Sequence, residues 1–229
     1  MNDSKRDPQG PPAGRGQRFY GVYTAQVRDT QDPSGLGRVA ITLPMLGKPA
    51  SDVSQWARVA VPFAGNQRGA WLIPDVGDEV LVAFEGGEPS QPIVVGSLWN
   101  ASDQPPEAMD TQNSRKSVVS RSGLKISLND DSVSIAITTP QGLSVTLSDA
   151  ENAVDIRDTS GNAIKLAPDG VRVSSPAKVT VSAAVVEIAG TVVTVNSSTA
   201  KFSGIVQCDT LIANSVVASS YTPGAGNLM

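Results

Sequence analysis

Between residues 124 and 195, apolar residues recur at every second position in runs of about five, and turn signals close several of these runs. Residues 124–128 place Leu124, Ile126 and Leu128 on one side; 133–137 do the same with Val133, Ile135 and Ile137, and 143–147 with Leu143, Val145 and Leu147. The series continues through Val154 and Ile156, Ile164 and Leu166, Val171 and Val173, Val179 and Val181, Val186 and Ile188, and Val193 and Val195. Turns fall at 129–131, 140–142, 160–162 and 168–170. A period of two is the mark of a strand with one buried face. Strand centres step by roughly ten residues at first and by roughly seven or eight after Pro168, a spacing that marks a repeat architecture.

Such strands cannot stand alone. Two or three small apolar side chains per strand do not offset an ordering cost of roughly 1–2 kcal/mol per residue. Stacking supplies neighbours above and below, but a single wall still leaves its Val and Ile uncovered. Three chains wound together close a prism, with the apolar residues on the axis and Ser and Thr outside. Intertwining also pairs each strand with strands of other copies and removes lateral edges. The shortening repeat makes this prism a tapering needle. Its axial core is assigned to Leu124, Ile126, Leu128, Val133, Ile135, Ile137, Leu143, Val145, Leu147, Ile164, Leu166, Val179 and Val181.

The first half differs. All three Trp lie before residue 101, and beyond it only Phe202 and Tyr221 are aromatic. Residues 1–18 are rich in Pro, Gly and charge and read as a mobile arm. From 19 to 100, short β-patterned runs such as "GVYTAQVRD", "GRVAITLP", "WARVAVPF", "GAWLIP" and "DEVLVAFEGG" alternate with Gly, Pro and Asp, which argues for a small closed barrel. Residues 101–117 carry neither period and read as a linker, 118–220 as the needle, and 221–229 as a tip segment.

Several function classes drop out on composition. There is no His, which removes His-based triads, HExxH zinc sites and imidazole acid–base catalysis. A net charge of −4 without a basic block argues against nucleic acid as a partner. No apolar leader or membrane-length run occurs, so the chain is expected to be made in the cytoplasm and to leave it only within a larger object. A lone Cys208 permits no internal disulfide, and its apolar surroundings read as a core position.

The stretches "DPSGLGRVAITLP" at 32–44, "WARVAVPFAG" at 56–65 and "PDVGDEVLVAFEGGEPSQPIVVGSLWN" at 74–100 resemble, in order and spacing, the OB-fold domain of spike proteins from contractile phage tails and type VI secretion, the family called VgrG or phage baseplate assembly protein V. "SRSGLKISLNDD" at 120–131 is similar to that family's entry into its triple-stranded β-helix. The resemblance covers roughly residues 19–200. It implies an all-β chain: an N-terminal OB-fold barrel followed by a C-terminal intertwined triple-stranded β-helix, forming a homotrimeric spike on a baseplate hub. VgrG proteins carry a large hub region ahead of the barrel, so with eighteen residues in that place the hub is expected to be a separate chain. Some phage spikes insert a lysozyme domain after the barrel. Here only the seventeen-residue linker stands there, and no cell-wall hydrolase is expected. The resemblance further implies a conical PAAR-type tip protein at the C-terminal end, with Tyr221, Leu228 and Met229 nearest the joint.

Other residues suggest chemistry at first sight. Asp75, Asp78, Glu79, Glu85 and Glu88 cluster in sequence, and a glycosidase needs two facing carboxylates. The barrel pattern accounts for all five as strand-end and loop charges, and neither an EF-hand spacing nor a cofactor motif accompanies them. Trp56, Trp71 and Trp99 adjoin apolar strands, which places them in core or inter-subunit packing rather than on a sugar platform. No catalytic residue, metal or cofactor is assigned. A polysaccharide-binding tailspike is the alternative function; it needs exposed aromatics or paired acids along the needle, and 118–220 offers one Phe and sparse acids.

Overall fold

The computed structural model describes residues 18–44 and 54–220; the arm through residue 17 and the expected tip contacts Tyr221, Leu228 and Met229 lie outside the described residues. The chain divides into two units, one ending at Pro176 and the other beginning at Ala177. Every regular element belongs to the first, and among the described residues there is no α-helix.

Five strands close a barrel: β1 (Val22–Asp29), β2 (Val39–Thr42), β3 (Gln55–Val59), β6 (Glu79–Phe84) and β7 (Pro92–Ser97), in the order β1-β2-β3-β7-β6. All neighbours are antiparallel except β3 and β7, which run parallel. A five-stranded barrel of this kind is the OB arrangement. Alternation explains the packing: in β6, Val80, Val82 and Phe84 point inward, and they meet Ala25, Val27, Val39, Ile41, Ala57 and Val94 in one core. Phe19, Tyr23 and Phe84 stack at 5.0–5.7 Å between ring centroids.

Tryptophan, expected in core or inter-subunit packing, takes no part in this core. Trp56 is half-buried in β3, with the Arg38 guanidinium 5.8 Å from its ring centroid. Trp71 and Trp99 are 76% and 70% exposed and lie outside the core. "GAWLIP" is not a strand: the ladder there is a two-residue hairpin, β4 (Ala64–Gly65) with β5 (Arg68–Gly69), and Trp71 comes after it. Trp71 lies over Gly37, where a Cβ would stand 3.1 Å from its ring, and lines an open groove of about 630 Å³ with Leu36, Val59 and Ile73.

The remaining seven strands form one antiparallel meander: β8 (Arg115–Val119), β9 (Lys125–Asn129), β10 (Ser134–Thr138), β11 (Ser144–Ser148), β12 (Ala153–Arg157), β13 (Ala163–Ala167) and β14 (Gly170–Ser174). Each pairs with its sequence neighbours in the same chain. This corrects the expectation that every strand pairs with other copies; here turns of a few residues make self-pairing the shortest connection. β8 begins at Arg115, inside the stretch read as linker, and that stretch is fastened to the sheet. Lys125 pairs with Glu107 at 2.9 Å, and the buried Ser114 hydroxyl donates to Asp131 at 2.7 Å. Arg121 donates to Asp75 at 3.1 Å, joining the first sheet turn to a barrel loop.

The turns on one edge repeat every nineteen residues. Ser120, Thr139 and Asp158 each accept, through the side chain, the backbone N–H four residues on. Gly123, Gly142 and Gly161 then take φ of 83°, 90° and 88°. The second residue of the next turn in the series packs on each glycine: Pro140 on Gly123, Thr159 on Gly142 and Pro176 on Gly161. The true repeat is therefore two strands long, a period the strand spacing alone did not expose.

Candidate functional site: an uncovered apolar sheet face

Register places the apolar side chains of the meander, with Lys116 at one end, in two rows on one face. One row runs Val118, Ile126, Ile137, Val145, Ile156, Ile164 and Val173; the other runs Lys116, Leu128, Ile135, Leu147, Val154, Leu166 and Val171. The opposite face carries Ser127, Ala136, Thr146, Asp155, Lys165 and Arg172 in direct succession. Most of the apolar row members stay 41–70% exposed, because no other described element packs on them. Fully burying such a side chain is worth about 1.5–3 kcal/mol, so this half-exposed face forgoes roughly 1 kcal/mol at each position. A continuous apolar face of this extent is the signature of an interaction surface.

The structure brings eight of the expected core residues together on that face: Ile126, Ile137, Val145, Ile164, Leu128, Ile135, Leu147 and Leu166. Leu124 and Leu143 stand at the turn positions just before β9 and β11, both exposed. Val133 is not in a strand; β10 begins at Ser134, and Val133 takes φ of 43° in the preceding turn. Val179 and Val181 fall in 177–220, where no described residue belongs to a strand and all are exposed. Cys208 lies there too and is exposed, not in a core.

Polar groups hold the edges of the face in place. On the outer side Arg157 pairs with Asp155 and holds its carboxyl below the usual carboxylate range. Lys165 approaches Glu151 at 3.5 Å. At the turn, the Asn162 amide and backbone N–H depress Asp158 in the same way. On the barrel, Asp32 organises the 32–38 loop: its carboxylate accepts from the N–H groups of Ser34, Leu36 and Arg38 and from the Arg38 guanidinium, at 2.7 Å for the shortest. With its side chain only 4% exposed, Asp32 is held far below the ordinary carboxylate value, chiefly by Arg38. This gives a physical reason for the "DPSGLGR" motif.

The five clustered carboxylates do not face one another as a pair. Asp75 meets Arg121, Asp78 accepts from the Asp75 N–H, Glu79 accepts from Asn100, Glu85 pairs with Arg58 at 2.6 Å, and Glu88 approaches Arg18 at 3.4 Å. Among the described residues no three metal-ligating side chains gather, and no helix is long and apolar enough to cross a membrane.

Comparison with known proteins finds two separate matches, one over the barrel and one beginning in the meander. Residues 23–99 match the type VI secretion system/phage-baseplate injector OB domain, and residues 134–200 match the phage baseplate V C-terminal trimerisation domain. The chain is 41% identical over 75 residues to the type VI secretion system spike protein VgrG3 of Vibrio cholerae, covering 32% of this chain and 7% of that protein. It is 36% identical over 99 residues to VgrG5 of Pseudomonas aeruginosa, covering 42% and 12%, and 38% identical over 80 residues to VgrG1a of the same organism, covering 34% and 12%. The matches thus span about a tenth of these relatives' length.

Proposed function

We propose, on the premise that this chain belongs to the phage baseplate V family of injection spikes, that it is the structural spike of a contractile injection machine. Three copies bring their uncovered sheet faces together around a common axis. The two rows across seven strands, apolar but for Lys116, carry this reading, because they form a continuous face on which no other described element packs. The residues assigned to the axis are the eight that stand in the two rows, with Leu124, Val133 and Leu143 at the turns beside them and Val179 and Val181 after the last strand. The role is mechanical rather than catalytic, which the separate engagement of each clustered carboxylate supports.

In an assembled particle the barrel seats on a hub protein, and a PAAR-type tip protein covers the C-terminal end. Threefold symmetry favours this division, since one ring of three barrels offers a threefold platform. On contraction of a sheath the spike is driven through the target envelope, so its contact with that membrane is transient.

Light scattering of the purified chain tests the trimer: about 71 kDa is expected, three times 23.7 kDa. A folded, soluble monomer would sink the proposal. For the ends, residues 118–229 alone should fail to capture the hub. At the tip, the alternative is that the three tails fold back and cap themselves: a trimer that lacks 221–229, stays soluble and still co-purifies with a tip protein would exclude it, whereas no tip protein on either form would sink the tip assignment.

A further inference from the structure

The open groove of about 630 Å³ on the barrel lies between the 35–37 loop and the β4–β5 hairpin, and Leu36, Val59, Trp71 and Ile73 are its apolar lining. Trp71 and Leu36 are exposed although they stand side by side. Glycines at 35, 37, 65 and 69 share the same lining, so an extended chain can come close to the wall without meeting a side chain.

Arg68 gives this groove a charge. Its side chain lies across Gly65, which an added Cβ would bring into contact with Nε. The other barrel arginines each reach an oxygen: Arg18 the Gly86 carbonyl, Arg28 the Thr42 hydroxyl, Arg38 the Asp32 carboxylate and Arg58 that of Glu85. Arg68 has no acceptor for its guanidinium among the described residues. A free guanidinium beside an exposed indole suits a ligand in which a carboxylate adjoins flat apolar groups. Aromatic-lined grooves take proline in the extended polyproline conformation, which is already ordered before it binds.

The chain carries such a segment in "DPQGPP" at 7–12, where Asp7 precedes Pro8 and Pro11 and Pro12 follow. The segment is also within reach. Arg18, the first described residue, donates to the Gly86 carbonyl; Glu85, one residue earlier, pairs with Arg58; and Val59, the next residue of β3, lines the groove. From Arg18 back to Pro12 a polyproline chain spans about 19 Å, and back to Pro8 about 31 Å, at ~3.1 Å per residue. A tether of this length holds the segment at an effective concentration in the millimolar range, which a free partner rarely reaches.

We infer that residues 7–12 dock in the Trp71 groove of their own barrel, with proline rings on the indole and the Asp7 carboxylate at Arg68. The docked arm withdraws Trp71 from water, and any other protein that uses this groove has to displace it. The inference does not depend on the trimer reading, because groove and arm belong to one chain.

Two measurements on the full chain test it. With Trp56→Phe and Trp99→Phe, Trp71 is the sole tryptophan. Acrylamide quenching of its fluorescence should rise towards that of a free indole when residues 1–17 are deleted, and also when Pro8, Pro11 and Pro12 are all replaced by Gly in the undeleted chain. Equal quenching with and without the arm would leave the groove to a separate partner and overturn the inference. In the second measurement, Cys208→Ser is combined with Gln9→Cys and Leu36→Cys, and the oxidised chain is run on a non-reducing gel. An in-chain disulfide is expected, and it should be lost with Trp71→Ala and with Arg68→Glu. A bond formed only between chains would assign the groove to a neighbouring copy's arm, and no bond, or one indifferent to both substitutions, would show that the arm does not dock there; each of these outcomes overturns the inference.

Discussion

Ile135 and Leu147 face one another across β10 and β11, and each remains more than 40% exposed. Adjacent Ser134 points the other way and opposes Ser148. Ile135→Asp should therefore abolish the trimer, since three charges would be buried on the axis at a cost of several kcal/mol per ion. Ser134→Asp should change the mass by light scattering very little. Equal effects at both positions would show that the apolar face is not the interface.

Gly142→Ala should destabilise the sheet by about 1–3 kcal/mol, the usual cost of a strained backbone position. Its φ is 90°, and a Cβ there would stand 3.1 Å from the Thr159 methyl. Adding Thr159→Ser removes that methyl and should recover part of the loss, leaving the backbone strain. Gly96, whose added Cβ meets nothing within 4 Å, provides the mild comparison. Urea unfolding of the three variants checks the order.

Asp32→Ala should lower the Tm of the barrel at neutral pH, because three N–H groups and Arg38 lose their acceptor together. The carboxyl is depressed in the folded chain, so the native state binds fewer protons than the unfolded chain once pH approaches the ordinary Asp value. Its stabilisation is fully present above about pH 4 and is lost as pH falls through the lower folded value. The Tm gap between wild type and variant should accordingly narrow below about pH 4. A gap that is constant down to about pH 2 would assign the effect to packing.

Arg121→Ala should cost less than about 1 kcal/mol, as exposed ion pairs usually do. Both members of its pair with Asp75 are more than half exposed. The change should instead show as faster hydrogen exchange at the 120–124 turn, which that contact ties to the barrel.

The alternation in "LKISL" and "VSIAI" was legible because a strand covered on one face repeats every two residues whatever its partners are. Val133 was not, since its parity matches the strand although its backbone has already entered a turn. The nineteen-residue period was hidden by chemistry that varies while its geometry does not: Ser120, Thr139 and Asp158 offer the same acceptor from three different side chains. "GAWLIP" misled because exposed apolar residues on a loop and buried ones in a strand have the same composition, and only the backbone separates them. The barrel core escaped notice for a related reason. Phe84 is far in sequence from Phe19 and Tyr23 and meets them only through the pairing of β1 with β6.

The two-strand repeat also sets the unit in which such a shaft can change length. Strands stack about 4.8 Å apart, so one nineteen-residue unit adds about 10 Å. After it the chain emerges on the same edge, with the same face apolar and the same turn to dock on. Gain or loss of a single strand would send everything downstream to the opposite edge. Reach is thus adjustable in coarse, whole steps, by duplication or loss of the stretch between two successive turn glycines, while both ends keep their fittings.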